Sequence, residues 1–555
     1  MLTPRVGPID QDAIHCIGSV AEPSGNSVPH GMWDYVGRIQ KPVIYSQVFI
    51  NSAQVSAGLA RLLRIRAEWF GFCHFGSCAG RCALATEIEG ELAAIDLGDK
   101  RLNQRAQRVL RSFWEDPQAS VNAASHGWAE TQAAYRFFDN ARVQPEQLLA
   151  PHQAATLERI KQHRVVLLAQ DTTELDYSAP RPAGAGPLTS EQRVGFLDHS
   201  QVAFTPEGLC LGVVDVKFWA RSLEGFGEGK QRQYDPLETK ETYRWLEGYR
   251  RACEVARQAP GTQIVSVADR EGDLYELFVA AAAQGAPAAD YVIRAGKDRS
   301  LPEERASGPG YEKLRQTLDT AELVAIRELE LPATPQRQAR TARLEVRRQR
   351  VRLKAPYRQH TTLPEVEVNV VLVRELDPPS GVEPVEWLLV TSLPIDTPEQ
   401  VLLVVEYYTG RWPIEIFFRV FQSGCQVERI QLETAPRLQR CLMLYKIVAW
   451  RVLYLTMLGR ECPDLPCEVV FTADEWMPVW KITQPKRPLP KTPPTLAAFL
   501  LLVGKLGGHN GRRRDRPPGA QALWTGIRRL TDFALAWRAF GPNQHGPLET
   551  RDTCV

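Results

Sequence analysis

The feature that most constrains the fold is a series of short apolar segments between residues 165 and 294. "RVVLLAQD", "TQIVSVAD" and "ADYVIRAG" are rich in apolar and β-branched residues, which predicts buried strands. "QVAFTPEGLCLGVVDVKFW" predicts a hairpin whose turn holds Pro206 and Gly208, and "KETYRWLEGYRRACEVARQ" predicts a helix. Strands and helices in this order predict an α/β fold with a mixed β-sheet.

Size and charge narrow the class of protein. A chain of 555 residues exceeds a usual single core, and a composition of 44% hydrophobic and 24% charged residues is typical of globular proteins. A net charge of +2 is too small to attract a polyanion such as nucleic acid to the protein as a whole. Any basic surface therefore has to come from local clusters such as "DKRLNQRAQRVLR" and "GRRRDR". The composition therefore predicts several globular domains and excludes a largely disordered chain.

Cysteine usage and hydropathy predict a cytoplasmic protein. The eleven cysteines are odd in number and follow no repeated spacing, which favours free thiols in a reducing compartment. The first thirty residues lack a basic start followed by an apolar run, so we predict no signal peptide. The most apolar segment, 441–458, contains Lys446 and Arg451, and we expect a buried helix there and not a membrane span.

The ends of the chain differ from its centre. Residues 1–85 show no sustained periodicity, and we expect a poorly ordered or mis-assigned N-terminal extension. Its cluster Cys73, His74, Cys78 and Cys82 suggests zinc but lacks paired C-x-x-C knuckles. From residue 86, "DKRLNQRAQRVLRSFWEDP" and "WAETQAAYRFFDN" predict two helices with a basic face, and short helices are predicted near the C-terminus.

Two aspartates lie where apolar strands are predicted to end. Asp171 follows "RVVLLAQ" and Asp269 follows "TQIVSVA", and strand ends of this kind meet at one rim of a sheet. Carboxylate oxygens suit Mg²⁺ or Mn²⁺, and two such ions about 3.5–4 Å apart support phosphoryl transfer. The structural alternatives are an Asx turn at Asp171 and an N-cap at Asp269.

A third carboxylate lies in "EYYTGRWPIEIFFRVFQ". At 100° per residue, an arc of roughly 80° on one helix face collects Tyr408, Arg411, Glu415, Arg419 and Gln422. Pro413 fits only the first turn of such a helix. The face is explained either by surface ion pairs or by a metal ligand, Glu415, beside arginines that hold phosphates.

Taken together, these blocks resemble the insertion-sequence-four group of DDE transposases over roughly residues 88–540. "QDTT", "DREGD" and "YYTGRWPIE" are similar to its three catalytic blocks, in order. Tyr408, Arg411 and Glu415 match its Y-R-E-K signature, whereas Gln422 stands at the lysine position. The resemblance implies an RNase H-like core interrupted by a β-rich insertion, with two Mg²⁺ or Mn²⁺ ions held by Asp171, Asp269 and Glu415.

Further roles are implied by the same resemblance. Trp387 in "VEWLLVTSLP" corresponds to a tryptophan that stacks on a flipped base, a contact worth about 1–3 kcal/mol, although a core tryptophan is the alternative. Arg294 in "YVIRAGKD" is expected to contact a phosphate. The expected contacts to transposon-end DNA in the N-terminal helical domain are Lys100, Arg101, Arg105 and Arg136, with binding that weakens steeply as salt rises.

The resemblance also implies a division of the chain and its partners. The predicted segments are the extension 1–85, a helical DNA-binding domain 86–150, the first core part 151–298, a β-rich insertion 299–395, the second core part 396–460 and a helical dimerisation region 461–555. Transposon-end DNA, target DNA and a second copy of the chain are the expected partners, in a bacterial cytoplasm. The implied activity is cut-and-paste transposition through a DNA hairpin, and a decayed or inhibitory DNA-binding relative is the alternative.

Overall fold

The computed structural model describes residues 88–541, except 126, 191, 224–234, 286, 306–308, 332–337, 358–362 and 513–514. The predicted extension 1–85 and its cysteine cluster therefore lie outside the described residues. Among the described cysteines, Cys210, Cys253, Cys425, Cys441 and Cys467 are buried and form no disulfide bond, and the reducing compartment stays a prediction.

The N-terminal part is helical. Its elements are a 3-10 turn Ile88–Leu92 and the helices α1 Lys100–Glu115, α2 Val121–Ala124, α3 Trp128–Asp139 and α4 Pro145–Ile160. The Asp99 carboxylate accepts a hydrogen bond of 2.8 Å from the Arg101 amide and so caps α1. One face of α1, with Val109 and Phe113, is buried while Lys100 and Arg101 lie on the opposite, exposed face. Both helices predicted here are confirmed.

A buried polar cluster joins these helices to the sheet that follows. Glu91 accepts hydrogen bonds from His152 Nδ1 at 2.7 Å and from Arg159 Nη1 at 2.9 Å, both on α4. The Val213 amide donates to His152 Nε2 at 3.0 Å, and Arg159 Nε donates to the Leu211 carbonyl at 2.6 Å. Because Val213 fixes Nε2 as the acceptor, His152 is a neutral tautomer that donates from Nδ1.

The centre of the protein is a ten-stranded mixed sheet. Its first six strands are β1 Val165–Asp176, β2 Gly186–Pro187, β3 Val194–Phe204, β4 Cys210–Trp219, β5 Gln263–Ala268 and β6 Asp290–Arg294. β1, β5 and β6 are parallel neighbours, whereas β3 runs antiparallel to β1 and pairs with β2 and β4. The mixed sheet and the hairpin of β3 and β4 are both confirmed.

The segment after β6 extends the same sheet. Its elements are β7 Ser300–Glu304, β8 Tyr311–Lys313, α7 Leu314–Asp319, β9 Glu322–Leu331, β10 Arg340–Leu353, β11 Val366–Leu376 and β12 Glu386–Thr391. β9 to β12 form an antiparallel ladder, and β12 pairs with β6. β7 and β8 form a separate pair. The predicted antiparallel character is confirmed, and this segment continues the central sheet instead of forming a separate layer.

Helices cover the sheet and form the C-terminal region. They are α5 Tyr243–Gln258, α6 Tyr275–Ala283, α8 Pro398–Thr409, α9 Pro413–Arg419, α10 Ala435–Glu461, α11 Ala473–Thr483, α12 Leu496–Leu506 and α13 Ala520–Phe540. α10 is long and apolar enough to cross a membrane, yet its whole apolar window is buried inside the protein. Lys446 and Arg451 are both buried in it, which confirms the predicted core helix. α11 was not predicted, and α13 is a long helix of 21 residues where a short one was expected.

Candidate active site

Asp171 lies within a strand, so the prediction that β1 ends there is wrong. Parallel pairing of β1 with β5 stops at Ala169 and Val267, but antiparallel pairing with β3 continues to Asp176. Hydrogen bonding to β3 therefore extends β1 beyond its apolar run. The Asp171 carboxylate accepts a bond of 2.8 Å from the amide of the next residue, Thr172, whereas the Asx turn of the structural alternative would bond the amide two residues on.

Asp269 follows the neighbouring strand β5. It lies two residues beyond Val267, as Asp171 lies two residues beyond Ala169, so the two aspartates occupy equivalent positions past the last parallel pair. Asp269 Oδ1 accepts a bond of 2.9 Å from the Glu271 amide and caps a 3-10 turn Arg270–Gly272. The N-cap alternative is therefore present, and it leaves the carboxylate at the same rim of the sheet as Asp171.

The predicted single helix around Glu415 is three consecutive segments. α8 ends at Thr409, α9 begins at Pro413, and a π-helical turn spans Val420–Gly424. Pro413 occupies the first turn of α9, as predicted. The single face calculated for a continuous helix is therefore wrong, because residues 410–412 break the periodicity between Tyr408 and Glu415. π turns inside helices occur often at functional sites.

Arg411, in that break, joins two of the three predicted carboxylates. Its Nη1 donates to Asp171 Oδ2 at 2.5 Å, and its Nη2 donates to Glu415 Oε1 at 2.9 Å. Its side chain is 4% exposed. Burial opposes the charge, but the attraction of Asp171, Tyr408, Glu415 and Asp269 outweighs it and raises the pKa of Arg411. The structure thus joins Asp171 and Glu415 through one guanidinium, and Asp269 lies near enough to favour its charge.

The three carboxylates are of the chemical type that binds a divalent cation. Three carboxylates are the oxygen ligands that Mg²⁺ and Mn²⁺ prefer. Arg411 lies between two of them, Asp171 and Glu415, and among the residues that the structure describes, no three His, Cys, Asp or Glu side chains lie at distances suited to a metal ion. The carboxylates would have to close around the ion in place of the guanidinium.

A chain of polar side chains behind Asp171 was missed from the sequence. Arg244 Nε donates to Thr172 Oγ1 at 3.0 Å, and Thr172 Oγ1 lies 2.9 Å from His199 Nδ1. His199 Nε2 lies 3.2 Å from Gln170 Oε1. Burial, with the nearby cations Arg244 and Lys217, holds the pKa of His199 well below its usual value, so the imidazole is neutral. These contacts fix both sequence neighbours of Asp171.

Arg244 also reaches the second aspartate's turn. Its Nη2 donates to Glu271 Oε2 at 2.7 Å, and the side chain is 8% exposed. Because Thr172 follows Asp171 and Glu271 lies two residues after Asp269, Arg244 ties together the two segments that bear the aspartates. Burial lowers the pKa of Arg244, while Glu271 and Glu241 oppose that effect.

A second buried cluster lies opposite Asp171 on β3. Ser200 pairs with Asp171 and Asp198 pairs with Thr173 in the antiparallel ladder. Lys446 of α10 forms a fully buried ion pair with Asp198 and donates to Ser200 Oγ at 2.9 Å. Burial lowers the pKa of Lys446, and Asp198 opposes that effect. The signal in the sequence is "DHSQ", four polar residues within an otherwise apolar strand that is buried throughout.

The same lysine contacts the Glu415 segment. Lys446 Nζ lies 3.8 Å from the ring centroid of Phe421, and 5.2 and 5.3 Å from those of Phe417 and Phe418. The ammonium therefore packs against the aromatic face of α9 and its π turn while it binds β3. This arrangement positions the helix of Glu415 relative to the strand of Asp171.

Gln422 and Arg419 occupy different environments. Gln422 Nε2 donates to Thr173 Oγ1 at 3.1 Å and to the Glu174 carbonyl at 2.7 Å. The amide thus holds the π turn against β1, and its predicted DNA contact stays a prediction. Arg419 is exposed, as a phosphate contact requires.

Trp387, Tyr408 and Arg294 form a partly buried group beside the rim. Trp387 is 6% exposed, and its ring centroid lies 5.6 Å from that of Tyr408. Arg294 Nη2 donates to the Glu386 carbonyl at 2.7 Å, and its pKa is lowered mainly by burial. This packing is the geometry of the core-tryptophan alternative. Base stacking by Trp387 and phosphate contact by Arg294 remain predictions.

The predicted DNA-contacting side chains lie on the N-terminal helices. Lys100, Arg101 and Arg136 are exposed, whereas Arg105 forms an ion pair with Glu130. Trp128, at the start of α3, is 75% exposed and was not predicted as a contact.

Two family models match the chain. Residues 86–143 match the transposase DNA-binding model, and residues 447–540 match the transposase Tn5 dimerisation domain. The two matches indicate a Tn5-like transposase. They place a DNA-binding domain on the helices α1 to α3 and a dimerisation domain on α11 to α13 with most of α10, and they support DNA and a second copy of the chain as partners.

One of the solved structures similar to this chain contains a transposase with DNA. It is a cryo-EM structure of a piggyBac transposase synaptic complex with hairpin DNA, 9% identical, with a TM-score of 0.32, covering 82% of this chain and 74% of that chain. A TM-score of 0.32 does not establish a shared fold.

Proposed function

We propose that this Tn5-like transposase is a metal-dependent enzyme of the DDE type, with an RNase H-like core and with Asp171, Asp269 and Glu415 as its catalytic carboxylates. The observation that supports this most directly is the Arg411 bridge, because it gathers carboxylates from separate elements at one rim of the sheet. Arg411 and Glu415 are four residues apart, an ordinary spacing for an ion pair, whereas Asp171 comes from β1, 240 residues earlier in the chain.

The protein's own residues have distinct tasks in this proposal. Asp171, Asp269 and Glu415 would hold Mg²⁺ or Mn²⁺, which supplies charge neutralisation and an activated water when bound. Arg419, exposed on α9, contacts a phosphate next to the scissile bond. Thr172, Arg244 and Lys446 keep the strands and α9 in register, so that the carboxylates need little rearrangement.

The proposed reaction consists of successive in-line phosphoryl transfers. Water attacks a phosphodiester at the transposon end and releases a 3′-hydroxyl. That hydroxyl attacks the opposite strand, which forms a hairpin and frees the flanking DNA. Hydrolysis of the hairpin regenerates the 3′-hydroxyl, and this group attacks target DNA in strand transfer. Each step either hydrolyses a phosphate ester bond or transfers the phosphate to a 3′-hydroxyl, so no covalent enzyme intermediate is needed.

The test is a nicking assay with the full-length chain, Mg²⁺ and DNA that contains the transposon end. We expect wild-type protein to nick, and Asp171→Asn, Asp269→Asn and Glu415→Gln to lose nicking by at least a hundredfold. Glu433→Gln is the matched control, because Glu433 also accepts from an arginine four residues away, Arg437, at 2.8 Å. Nicking that survives in Glu415→Gln would refute the proposed catalytic role.

A second candidate is a DNA-binding relative that has lost cleavage. The observation that favours it concerns Gln422, which stands where the insertion-sequence-four group has a lysine. Its side-chain amide donates to Thr173 and to the Glu174 carbonyl, so it is engaged within the protein. In that case wild-type protein binds end DNA and forms dimers but releases no nicked strand. Binding measured by gel shift beside the nicking assay separates the two functions.

A further inference from the structure

We propose that Arg411 is the resident counter-ion of the carboxylate cluster, and that its guanidinium must leave Asp171 and Glu415 before a divalent ion is bound. The inference rests on the proposed function, because it assigns a metal to these carboxylates. It adds an exchange of cations: the ion enters the position that Arg411 occupies, and Arg411 is released toward the substrate.

The geometry of Arg411 supports this exchange. Two different nitrogens of one guanidinium donate to Asp171 and Glu415, at 2.5 and 2.9 Å, so one planar group spans both carboxylates. The side chain is 4% exposed, while those of Asp171 and Glu415 are 15% and 29% exposed. A positive charge is thus buried beneath two partly accessible carboxylates. An arginine stays charged in such a site.

Charge explains why the two cations compete. Asp171 and Glu415 each give an oxygen to the guanidinium, and a metal ion would draw on the same two carboxylates. With Arg411 in place, part of the negative charge of the cluster is already compensated, and an added divalent ion would meet the repulsion of a nearby cation. Removal of the guanidinium charge should therefore strengthen metal binding, whereas an arginine that merely supports the ligands would have the opposite effect.

Released Arg411 would be available to a phosphate of bound DNA. A guanidinium binds a phosphate in the same two-pronged manner as a carboxylate. DNA would then stabilise the released state and so tighten metal binding, and by linkage the metal would tighten DNA binding by the same factor. Metal and substrate would each be bound weakly alone and strongly together.

The test measures Mn²⁺ binding to the full-length protein without DNA, by the electron paramagnetic resonance signal of free Mn²⁺. We expect Arg411→Met to bind Mn²⁺ at least tenfold more tightly than wild type, and Arg411→Lys to lie between them, because an ammonium keeps the charge but cannot span both carboxylates. Addition of Asp171→Asn to Arg411→Met should abolish the gain. Arg437→Met is the matched control, because Arg437 also bridges two carboxylates. It donates to Glu433 at 2.8 Å and to Asp139 at 2.7 Å, and it is not part of the carboxylate cluster.

Equal or weaker binding by Arg411→Met overturns the inference, as does an absence of Mn²⁺ binding in every variant. Arg411→Met is checked for folding by circular dichroism. If it does not fold, the comparison of wild type with Arg411→Lys replaces it, together with the effect of end DNA on wild type. End DNA should tighten Mn²⁺ binding by wild type, and unchanged Mn²⁺ affinity in the presence of end DNA overturns the proposal. The proposed function fails differently, through wild-type protein that binds Mn²⁺ and end DNA but does not nick.

Discussion

The buried pair of Lys446 and Asp198 allows a quantitative prediction. Both side chains are 0% exposed, and Asp198 also accepts from Ser200 Oγ at 2.8 Å. Lys446→Met keeps a long unbranched side chain but leaves a buried carboxylate without its cation, which typically costs about 3–5 kcal/mol. The lost cation–π contact with Phe421 is offset in part by a sulfur–aromatic contact of about 1 kcal/mol. We therefore expect Lys446→Met to lower the free energy of unfolding by about 4 kcal/mol.

The double variant Lys446→Met/Asp198→Asn separates the charge from the packing. A neutral amide can still accept from Ser200 and needs no cation, so we expect the double variant to lose only about 1 kcal/mol relative to wild type. Urea unfolding followed by tryptophan fluorescence gives the four free energies of the cycle. A coupling energy below about 0.5 kcal/mol would refute the reasoning, since it would mean that the two side chains act independently.

Three further outcomes follow from other contacts. Burial disfavours the charge of Glu91, but His152 and Arg159 outweigh this effect and lower its pKa from 4.5 to about 2. The contribution of Glu91 to stability is therefore complete above pH 4.5 and declines as the pH falls toward 2. The difference in unfolding free energy between wild type and Glu91→Gln, measured in urea, should shrink by about 2 kcal/mol between pH 6 and pH 3. Gln422→Ala removes two hydrogen bonds to β1 and should cost about 1–2 kcal/mol in unfolding free energy, whereas Gln422→Lys, which retains N–H donors, should recover part of it. Arg101→Ala should reduce the slope of log affinity for end DNA against log salt by about 1, and Arg251→Ala on α5 should leave it unchanged.

The strands and helices were predictable where apolar patterning alone decides them. β5, β6 and the parts of β3 and β4 next to their turn are buried apolar runs bounded by turn residues, and α1 has a clear apolar face. The end of β1 was not predictable in this way, because residues after Asp171 are polar and are held in the strand by the partner β3. Local sequence does not report that pairing.

The site was predictable in its chemistry but not in its supporting contacts. Residue types and order identified Asp171, Asp269 and Glu415 as candidates. The contact of Arg411 with Asp171 spans 240 residues, and that of Lys446 with Asp198 spans 248, so neither could be derived from helical periodicity. Sequence indicated which groups are chemically suitable, while tertiary packing determined which of them meet.

The cluster of Glu91, His152 and Arg159 has a geometric consequence for DNA. It connects the turn that precedes α1 to α4, and α4 to β4 through Val213 and Leu211. Because these connections are rigid, the DNA-binding helices lie at a fixed distance from the rim of the sheet that holds the carboxylates. An extra base pair between the recognised sequence and the end should therefore leave the cut at the same distance from the recognised sequence, one nucleotide inside the natural boundary.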